Sequence, residues 1–235
     1  MLTFGIRALA ASVVLSVAGM LAAGPAAAAP AAAPPGPHYY APGSGKTVAL
    51  TFDDGPGPST QAIINVLRAY HVPATFFNIG QNAAARPALV QEEAKDGFVV
   101  GNHTWSHPVM TALSAGSQAS QLDQASTEQH RLTGHYPVVF RPPYGDYSTV
   151  TLTLAAQRGM GAWLWSVDTE DWKAAGSASP YWVNRIISLA EQEGRVLNHP
   201  VVLMHNAPSG DPATVKALPT IIKYFRSHGY RLVVL

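Results

Sequence analysis

Short apolar runs alternate along the chain with stretches whose apolar residues recur at helical spacing, from about Gly45 onward. The apolar runs are rich in β-branched and aromatic residues and predict strands, whereas a period near 3.6 residues predicts helices. Seven strands are predicted, at Thr47–Phe52, Ala74–Ile79, Phe98–Gly101, Val138–Phe140, Ala162–Val167, Val201–Met204 and Tyr230–Leu235. Six helices are predicted, at Ser59–Tyr70 with Ser59 as N-cap, Pro87–Lys95, Ser117–Leu132, Thr149–Gln157, Pro180–Glu193 and Thr214–Ser227. Strands that are mostly followed by helices are typical of a parallel α/β architecture.

Polar residues follow the predicted strands at the points where those strands end. They are Asp53-Asp54, Asn102-His103, Arg141, Asp168 and His205. In a β/α barrel the carboxyl ends of all strands lie on one face, where reacting groups converge. The pattern therefore predicts one polar site built from distant parts of the chain.

The residues before this pattern are predicted to lie outside the fold. Arg7 precedes an Ala-rich apolar run from Ala8 to Ala23, and small residues follow at Ala26–Ala28, which is the layout of a secretory signal peptide. The run is shorter than the roughly 20 residues of a membrane-spanning helix, so cleavage is favoured over a retained anchor. We predict a signal peptide at 1–28, a stiff Pro/Ala-rich linker at 29–44 and one folded domain at 45–235. Secretion follows, and the Ala-, Gly- and Pro-rich composition suits a high-GC Gram-positive bacterium.

Charge and cysteine content exclude several classes of protein. Lys and Arg number 15 against 14 Asp and Glu, so the chain has no basic footprint for nucleic acid. Cysteine is absent, which excludes disulfides, thiolate metal sites and a catalytic cysteine. The sequence also has neither a Gly-x-Ser-x-Gly elbow nor a Gly-rich phosphate loop, which argues against a serine hydrolase or a nucleotide enzyme.

Two histidines and two adjacent aspartates form a candidate metal site. Pro108 disfavours a helix at His107, so we expect a single turn or a bent loop to bring His103 and His107 together. For the histidine pair by itself, a surface turn without metal is the alternative. Asp53 and Asp54 end an apolar strand, where burial without a cation is costly. A calcium loop would need more oxygen ligands than this stretch offers. Two histidines and one aspartate with open positions suit a catalytic divalent cation, with Zn²⁺ favoured.

Five segments together resemble a known family. They are Thr51–Pro56 (TFDDGP), His103–Pro108 (HTWSHP), Arg141–Gly145 (RPPYG), Asp168–Trp172 (DTEDW) and Leu203–His205 (LMH). In this order they are similar to the motifs of the polysaccharide deacetylases, the carbohydrate esterase family 4 or NodB-like enzymes. The resemblance extends from Thr47 to Leu235. It implies a distorted, incomplete (β/α)7 barrel and a metal-dependent hydrolase that acts on the C–N bond of linear amides.

The resemblance also implies roles for residues around the metal. Asp54, His103 and His107 match the family's metal ligands. Asp53 matches the general base, and Arg141 matches the residue that pairs with that base and orients it.

On the other side of the reaction, His205 matches the family's general acid and Asp171 the carboxylate that orients it. Tyr144 matches the residue whose backbone N–H helps to stabilise the oxyanion. Trp172 and Leu203 match the apolar walls of the acetyl pocket.

Some polar and aromatic residues remain without a clear role. For Asp168, a structural salt bridge or a strand-end cap is at least as good an interpretation as chemistry. Trp163 and Trp165 are predicted to be packed rather than to serve as sugar platforms. Packing and groove lining are equal alternatives for Trp105, and the histidines outside the motifs are expected to be solvated or to cap. His199 precedes a strand and is expected at the end opposite the site.

Three hypotheses about function remain. The first is a secreted deacetylase that removes N-acetyl groups from GlcNAc-containing polymers of the peptidoglycan or chitin type. The second is an O-acetyl esterase acting on a xylan-type polysaccharide, and the third is a non-catalytic glycan-binding module. In each case the partner is an acetylated polysaccharide, without nucleic acid or stable membrane insertion, and the chain is expected to be a monomer.

Overall fold

The computed structural model describes residues 1–2, 36–174 and 176–235. The predicted signal peptide beyond its first two residues and the linker up to residue 35 lie outside the described residues. The strands are β1 (Thr47–Asp53), β2 (Thr75–Asn78), β3 (Val99–Asn102), β4 (Val139–Phe140), β5 (Gly161–Ala162), β6 (Val167–Asp168), β7 (Val201–His205) and β8 (Arg231–Val233). The helices are α1 (Thr60–Ala69), α2 (Gly80–Ala85), α3 (Pro87–Lys95), α4 (Ala115–Thr133), α5 (Thr149–Gln157), α6 (Pro180–Gly194) and α7 (Pro212–Ser227). Short 3₁₀ turns occupy Met110–Ala112, Pro143–Gly145 and Asp171–Ala174.

The strands form a single parallel sheet in the order β5-β4-β3-β2-β1-β7-β6, with β8 added beside the first half of β1. This arrangement confirms the predicted incomplete parallel barrel of seven strands on one curled path. β1 lies at its centre, and all seven of its residues are buried, as expected for a strand covered on both faces. In the described part of the chain, no helix combines the length and the apolar character needed to cross a bilayer.

The prediction of one strand over Ala162–Val167 is wrong. The segment contains two short strands that lie at opposite ends of the sheet path, since β5 pairs with β4 and β6 pairs with β7. Residues 163–166 cross between them. The apolar run that predicts one strand instead spans the crossing between the two ends of the sheet path.

The predicted linker boundary at residue 44 also differs from the structure. His38 bridges Trp163 in parallel, and Tyr40 bridges Pro200 in antiparallel fashion. Ala41 is buried against Ala49 and Val201. The segment His38–Ala41, which we call the N-terminal strap, is therefore part of the folded domain, because its backbone supplies hydrogen bonds that the open barrel lacks.

Ser59 occupies the predicted N-cap position of α1 but does not cap it with its side chain. The Ser59 hydroxyl instead accepts the Asp211 backbone N–H at 2.7 Å. This bond ties the loop after β1 to the loop after β7. The two loops also pack very closely, since a Cβ on Gly57 would lie 1.9 Å from the Ala207 carbonyl oxygen. Only glycine fits there, and the approach brings the ends of β1 and β7 together.

Glu93, on α3, is a fully buried carboxyl group outside the predicted site. Its Oε2 lies 2.6 Å from Nδ2 of Asn78, at the end of β2. Its Oε1 has no hydrogen-bond partner among the described residues. Burial raises the pKa of Glu93 to about 8, although the Asn78 amide opposes this shift. The side chain is therefore protonated at neutral pH, which avoids an unpaired charge in the core.

Replacing Glu93 with Gln is expected to change how stability depends on pH. Between pH 4.5 and about 8 the unfolded chain releases the Glu93 proton while the folded chain retains it, so wild-type stability falls as pH rises through this window. The free energy involved is about 1.4 kcal/mol per unit of pKa difference. Denaturant unfolding from pH 4 to 9 should show the advantage of Glu93→Gln over wild type growing with pH. Glu92→Gln, on the outer face of α3, is the control, and an advantage independent of pH would refute the assignment.

Candidate active site

Most of the side chains predicted at the strand ends line one cavity of about 380 Å³ at the carboxyl edge of the sheet, whereas Asn102 and Arg141 are buried outside its lining. Its lining consists of Asp53, Asp54, His103, His107, Tyr144, Trp165, Asp168, Trp172, Leu203 and His205. The strand order explains the convergence, because β7 lies on one side of β1 and β2 and β3 lie on the other. His205 therefore approaches Asp53 from one side, and His103 from the other.

Arg141 and Asp53 form a buried ion pair at the centre of the site. Arg141 Nη1 donates to Asp53 Oδ1 at 2.7 Å and to Thr51 Oγ1 at 2.8 Å. The arginine side chain is completely buried, and its Nε and Nη2 donate to the backbone carbonyls of Trp163 and Leu164. With Oδ1 held in this way, Asp53 Oδ2 faces the histidines and lies 3.8 Å from His103 Nε2.

The loop that carries both histidines is held by amide side chains beneath it. Gln121, on α4, accepts the backbone N–H groups of Trp105 and Ser106 at 3.0 and 2.9 Å. Asn102 Oδ1 accepts the Thr104 N–H at 2.8 Å, and Thr104 Oγ1 accepts the His107 N–H at 3.0 Å. These bonds hold Thr104 and His107 in the left-handed region, at φ of 65° and 59°. The bent loop expected from Pro108 is therefore confirmed.

Asp54, His103 and His107 form a cluster that fits a divalent cation. One ligand atom from each lies within 4.8 Å of the others. His103 Nδ1 donates to the Arg141 carbonyl oxygen at 2.7 Å, so Nε2 is the ring nitrogen directed at Asp54 Oδ1, 3.3 Å away. Asp54 Oδ1 is buried and has no hydrogen-bond partner among the described residues, and a histidine that binds a metal through Nε2 typically donates its other ring N–H to a carbonyl or carboxylate oxygen. Burial alone would raise the pKa of Asp54, but the two imidazoles outweigh it and hold that pKa far below its usual value.

His205 and Asp171 form the second charged pair of the site. His205 Nδ1 lies 2.7 Å from Asp171 Oδ1, and the His205 backbone N–H donates to Asp171 Oδ2 at 2.8 Å. Thr214, on α7, also donates to Asp171 Oδ2. Burial lowers the pKa of His205, but the adjacent Asp171 carboxylate outweighs this effect and raises the pKa to about 10. The imidazole is therefore protonated at neutral pH and its charge is directly compensated.

A short turn after β6 places Asp171 under His205. Asp168 Oδ1 accepts the Glu170 N–H at 2.9 Å, which establishes the strand-end cap considered for Asp168. Thr169 Oγ1 donates to the Leu203 carbonyl at 2.8 Å. The Glu170 side chain pairs with Lys173 and with Arg185 on α6. Asp168 also lines the cavity. Its position at the end of β6 therefore lets it cap the turn and face the cavity.

Aromatic and apolar side chains form the walls of the cavity. The Tyr144 ring packs edge-on against His107 at 4.6 Å, and its backbone has a left-handed φ of 60°. Trp172 is 53% exposed at the rim, whereas Leu203 is buried. Trp165 lines the same cavity, although the sequence predicts only packing for it. Its position two residues before the β6 strand and three before Asp168 is the one signal that could have indicated this.

Trp163 and His199, outside the motifs, and Trp105, inside the HTWSHP segment, behave as structural residues. The rings of Trp163 and His38 contact each other in a tilted arrangement at 4.6 Å, and Trp105 packs against the backbone of Gly80. His199 contacts Thr47 at the start of β1, at the end of the sheet opposite the cavity, as predicted.

An incomplete parallel β/α barrel with an Asp-His-His group that could hold a metal ion at its strand ends defines the class of this protein. Residues 40–163 match the family profile described as polysaccharide deacetylase. The chain belongs to the polysaccharide deacetylase family.

Two peptidoglycan deacetylases similar to this chain are consistent with this membership. The chain is 36% identical over 190 residues to a peptidoglycan-N-acetylglucosamine deacetylase of Bacillus cereus, covering 80% of this chain and 66% of that protein. It is 34% identical over 191 residues to the peptidoglycan-N-acetylglucosamine deacetylase PgdA of Listeria monocytogenes, covering 81% of this chain but only 38% of that protein. The chain thus spans between about two fifths and two thirds of the length of these relatives.

A solved structure shows the same fold. It is a peptidoglycan N-acetylglucosamine deacetylase in complex with 4-naphthalen-1-yl-N-oxidanyl-benzamide, with a TM-score of 0.77 and 34% identity. The alignment covers 84% of this chain and 89% of that one.

Replacing His107 with Ala is expected to weaken zinc binding at least about 100-fold, because the loss of a direct ligand exceeds the usual cost of losing a residue behind one. The measurement is calorimetric titration of zinc into protein that has been stripped with chelator. His130→Ala is the control, since His130 stacks on Tyr136 away from the cavity. Equal affinity in wild type and His107→Ala would show that the cluster does not hold the ion.

Proposed function

We propose that this protein is a metal-dependent deacetylase that hydrolyses N-acetyl groups of GlcNAc-containing polymers, of the peptidoglycan or chitin type, and releases acetate. One observation carries the proposal. Asp53, which is paired with Arg141, and His205, which is paired with Asp171, line a single cavity together with the Asp54–His103–His107 cluster. The first pair supplies a base and the second an acid, which are the two proton-transfer groups that amide hydrolysis requires.

Asp53 is the group that takes the proton of the attacking water. Its Oδ1 is fixed by Arg141, so only Oδ2 is directed toward the cluster. A base must be held within hydrogen-bond reach of the proton that it removes. Arg141 is a positioning residue, because it contacts Asp53 but does not line the cavity.

His205 is the group that donates a proton to the departing amine. The water oxygen bonds to the acetyl carbon, the C–N bond breaks, and the amine nitrogen takes the proton from His205 Nε2. Asp171 holds Nδ1 and so leaves Nε2 directed away from it. The raised pKa of His205 keeps this proton available at neutral pH.

Asp54, His103 and His107 would hold a divalent cation, for which we propose Zn²⁺, and the bound ion would supply Lewis-acid polarisation of the water and of the acetyl carbonyl. We assign stabilisation of the oxyanion to the backbone N–H of Tyr144, the residue that lies beside His107. Leu203 and Trp172 form the apolar surface that receives the acetyl methyl group.

We further propose that the protein acts outside the cell as a monomer. The apolar run and small residues near the amino terminus support export, and the peptidoglycan relatives support a cell-wall polymer as substrate.

The proposal predicts acetate release by the purified protein. It would be offered chitin oligomers, peptidoglycan and acetylated xylan, each before and after chelator treatment and again after added zinc. We expect chelator-sensitive release from a GlcNAc polymer, with Asp53→Asn reducing it by at least about 100-fold. Release from xylan alone would favour the O-acetyl esterase. Release from none of the three, with zinc demonstrably bound, would refute the proposal and favour a binding module.

Replacing His205 with Ala should reduce amide hydrolysis more than ester hydrolysis, because an alcohol leaves more readily than an amine and needs less help from an acid. The comparison uses an N-acetyl and an O-acetyl sugar substrate with the same variant. His199→Ala, at the opposite end of the sheet, is the control. Equal fractional losses on both substrates would contradict the assignment of His205 as the acid.

A further inference from the structure

We propose that the N-terminal strap, His38–Ala41, is a positioning element of the active site that acts through Arg141 on Asp53. The inference rests on the proposed function only in treating Asp53 as the base. It concerns a segment that the sequence assigns to a linker and that contributes no side chain to the cavity lining.

The strap enters the sheet where the barrel is open. The His38 N–H donates to the Ala162 carbonyl and the His38 carbonyl accepts the Leu164 N–H, both at 2.8 Å. Farther along, the Ala41 N–H donates to the His199 carbonyl at 2.8 Å, just before β7. The strap therefore joins the β5 end of the sheet to the start of β7, beside the 163–166 crossing.

One peptide group connects the strap to the site. The peptide between Trp163 and Leu164 donates its N–H to the strap, and its carbonyl accepts Arg141 Nε at 3.1 Å. Since a peptide group is planar, the hydrogen bond on one side sets the direction of the carbonyl on the other. The next carbonyl, that of Leu164, accepts Arg141 Nη2 at 3.0 Å. The strap thus orients the Trp163 carbonyl directly, and the Leu164 carbonyl follows it in the same crossing segment.

The guanidinium in turn sets the direction of Asp53. Arg141 is completely buried, so its fork has no water to replace a lost acceptor. If the two carbonyls tilt, Nη1 shifts relative to Asp53 Oδ1, and Oδ2 leaves its position toward the cluster. The zinc ligands are affected less, because His103 bonds the backbone carbonyl of Arg141 rather than its side chain.

Ala41 offers a way to displace the strap in the intact protein. It is 5% exposed and packs against Ala49 and Val201, so a glutamate cannot be accommodated there. Ala41→Val crowds the same contact less strongly. Tyr40→Glu is the matched control, because the neighbouring side chain is exposed.

The test measures kcat and KM on the best acetylated substrate, with zinc affinity measured in parallel. Small misplacements of a reacting group cost up to about 100-fold in rate. We therefore expect kcat to fall about tenfold or more in Ala41→Glu and less in Ala41→Val, with KM and zinc affinity within about twofold of wild type. Loss of zinc binding together with kcat, or unchanged kcat in both variants, would overturn the proposal.

A double-mutant cycle separates this mechanism from a general loss of stability. Arg141→Lys keeps the positive charge but lacks the fork that reaches both carbonyls. In the Arg141→Lys background, Ala41→Val should therefore lower kcat by less than about twofold, because the two changes interrupt one chain of contacts. Fully additive losses would show that the strap does not act through Arg141.

A spectroscopic measurement keeps the inference independent of the proposed function. In wild type the buried Arg141 Nε–H should give a slowly exchanging NMR signal, and in Ala41→Val its exchange should be at least about tenfold faster. Tyr40→Glu should leave it unchanged. If wild type releases no acetate but the signal responds in this way, the proposed function fails and the strap's effect on Arg141 stands. An unchanged signal in Ala41→Val overturns the inference.

Discussion

The buried ion pair between Arg141 and Asp53 is the constraint on which the rest of the site depends. A charge in the core is tolerated only when it is paired and its remaining donors are satisfied, and removing one partner of such a pair costs about 3–5 kcal/mol. Arg141 meets this condition through Thr51, Asp53 and two carbonyls of the crossing segment. The guanidinium therefore joins the central strand β1 to the crossing segment at residues 163–166. The hydrogen bonds that compensate its burial are also the ones that orient Asp53.

Two separate polar frameworks support the groups on either side of this pair. On one side, the amide groups of Asn102 and Gln121 hold the histidine loop in an otherwise unfavourable backbone conformation. On the other, Asp168 and Thr169 hold the turn that places Asp171 against His205. Fully bonded polar networks of this kind rigidify a site. The buried polar side chains thus fix the directions of the groups in the site, whereas the apolar core fixes only the positions of the strands that carry them.

Local patterns predict most of the fold because each strand of a parallel sheet is a compact apolar run. They fail at residues 162–167, where two strands of two residues each are too short to leave a period. They fail again at the N-terminal strap, whose Pro- and Ala-rich surroundings resemble a linker and whose pairing is decided by partners more than 120 residues away. Ser59 shows the same limit, since its hydroxyl bonds a distant backbone rather than its own helix.

The sequence by itself determined which chemical groups meet, because parallel strands present their carboxyl ends on one face and the residue types there are visible in the chain. Asp53, His103, Arg141 and His205 were identifiable in this way. Only the tertiary structure decided the direction of the His103 ring, the place of Trp165 in the cavity lining and the two contacts of Asp168, with the turn and with the cavity. These features depend on distances between side chains and backbone groups that are remote in sequence, and no local pattern encodes such distances.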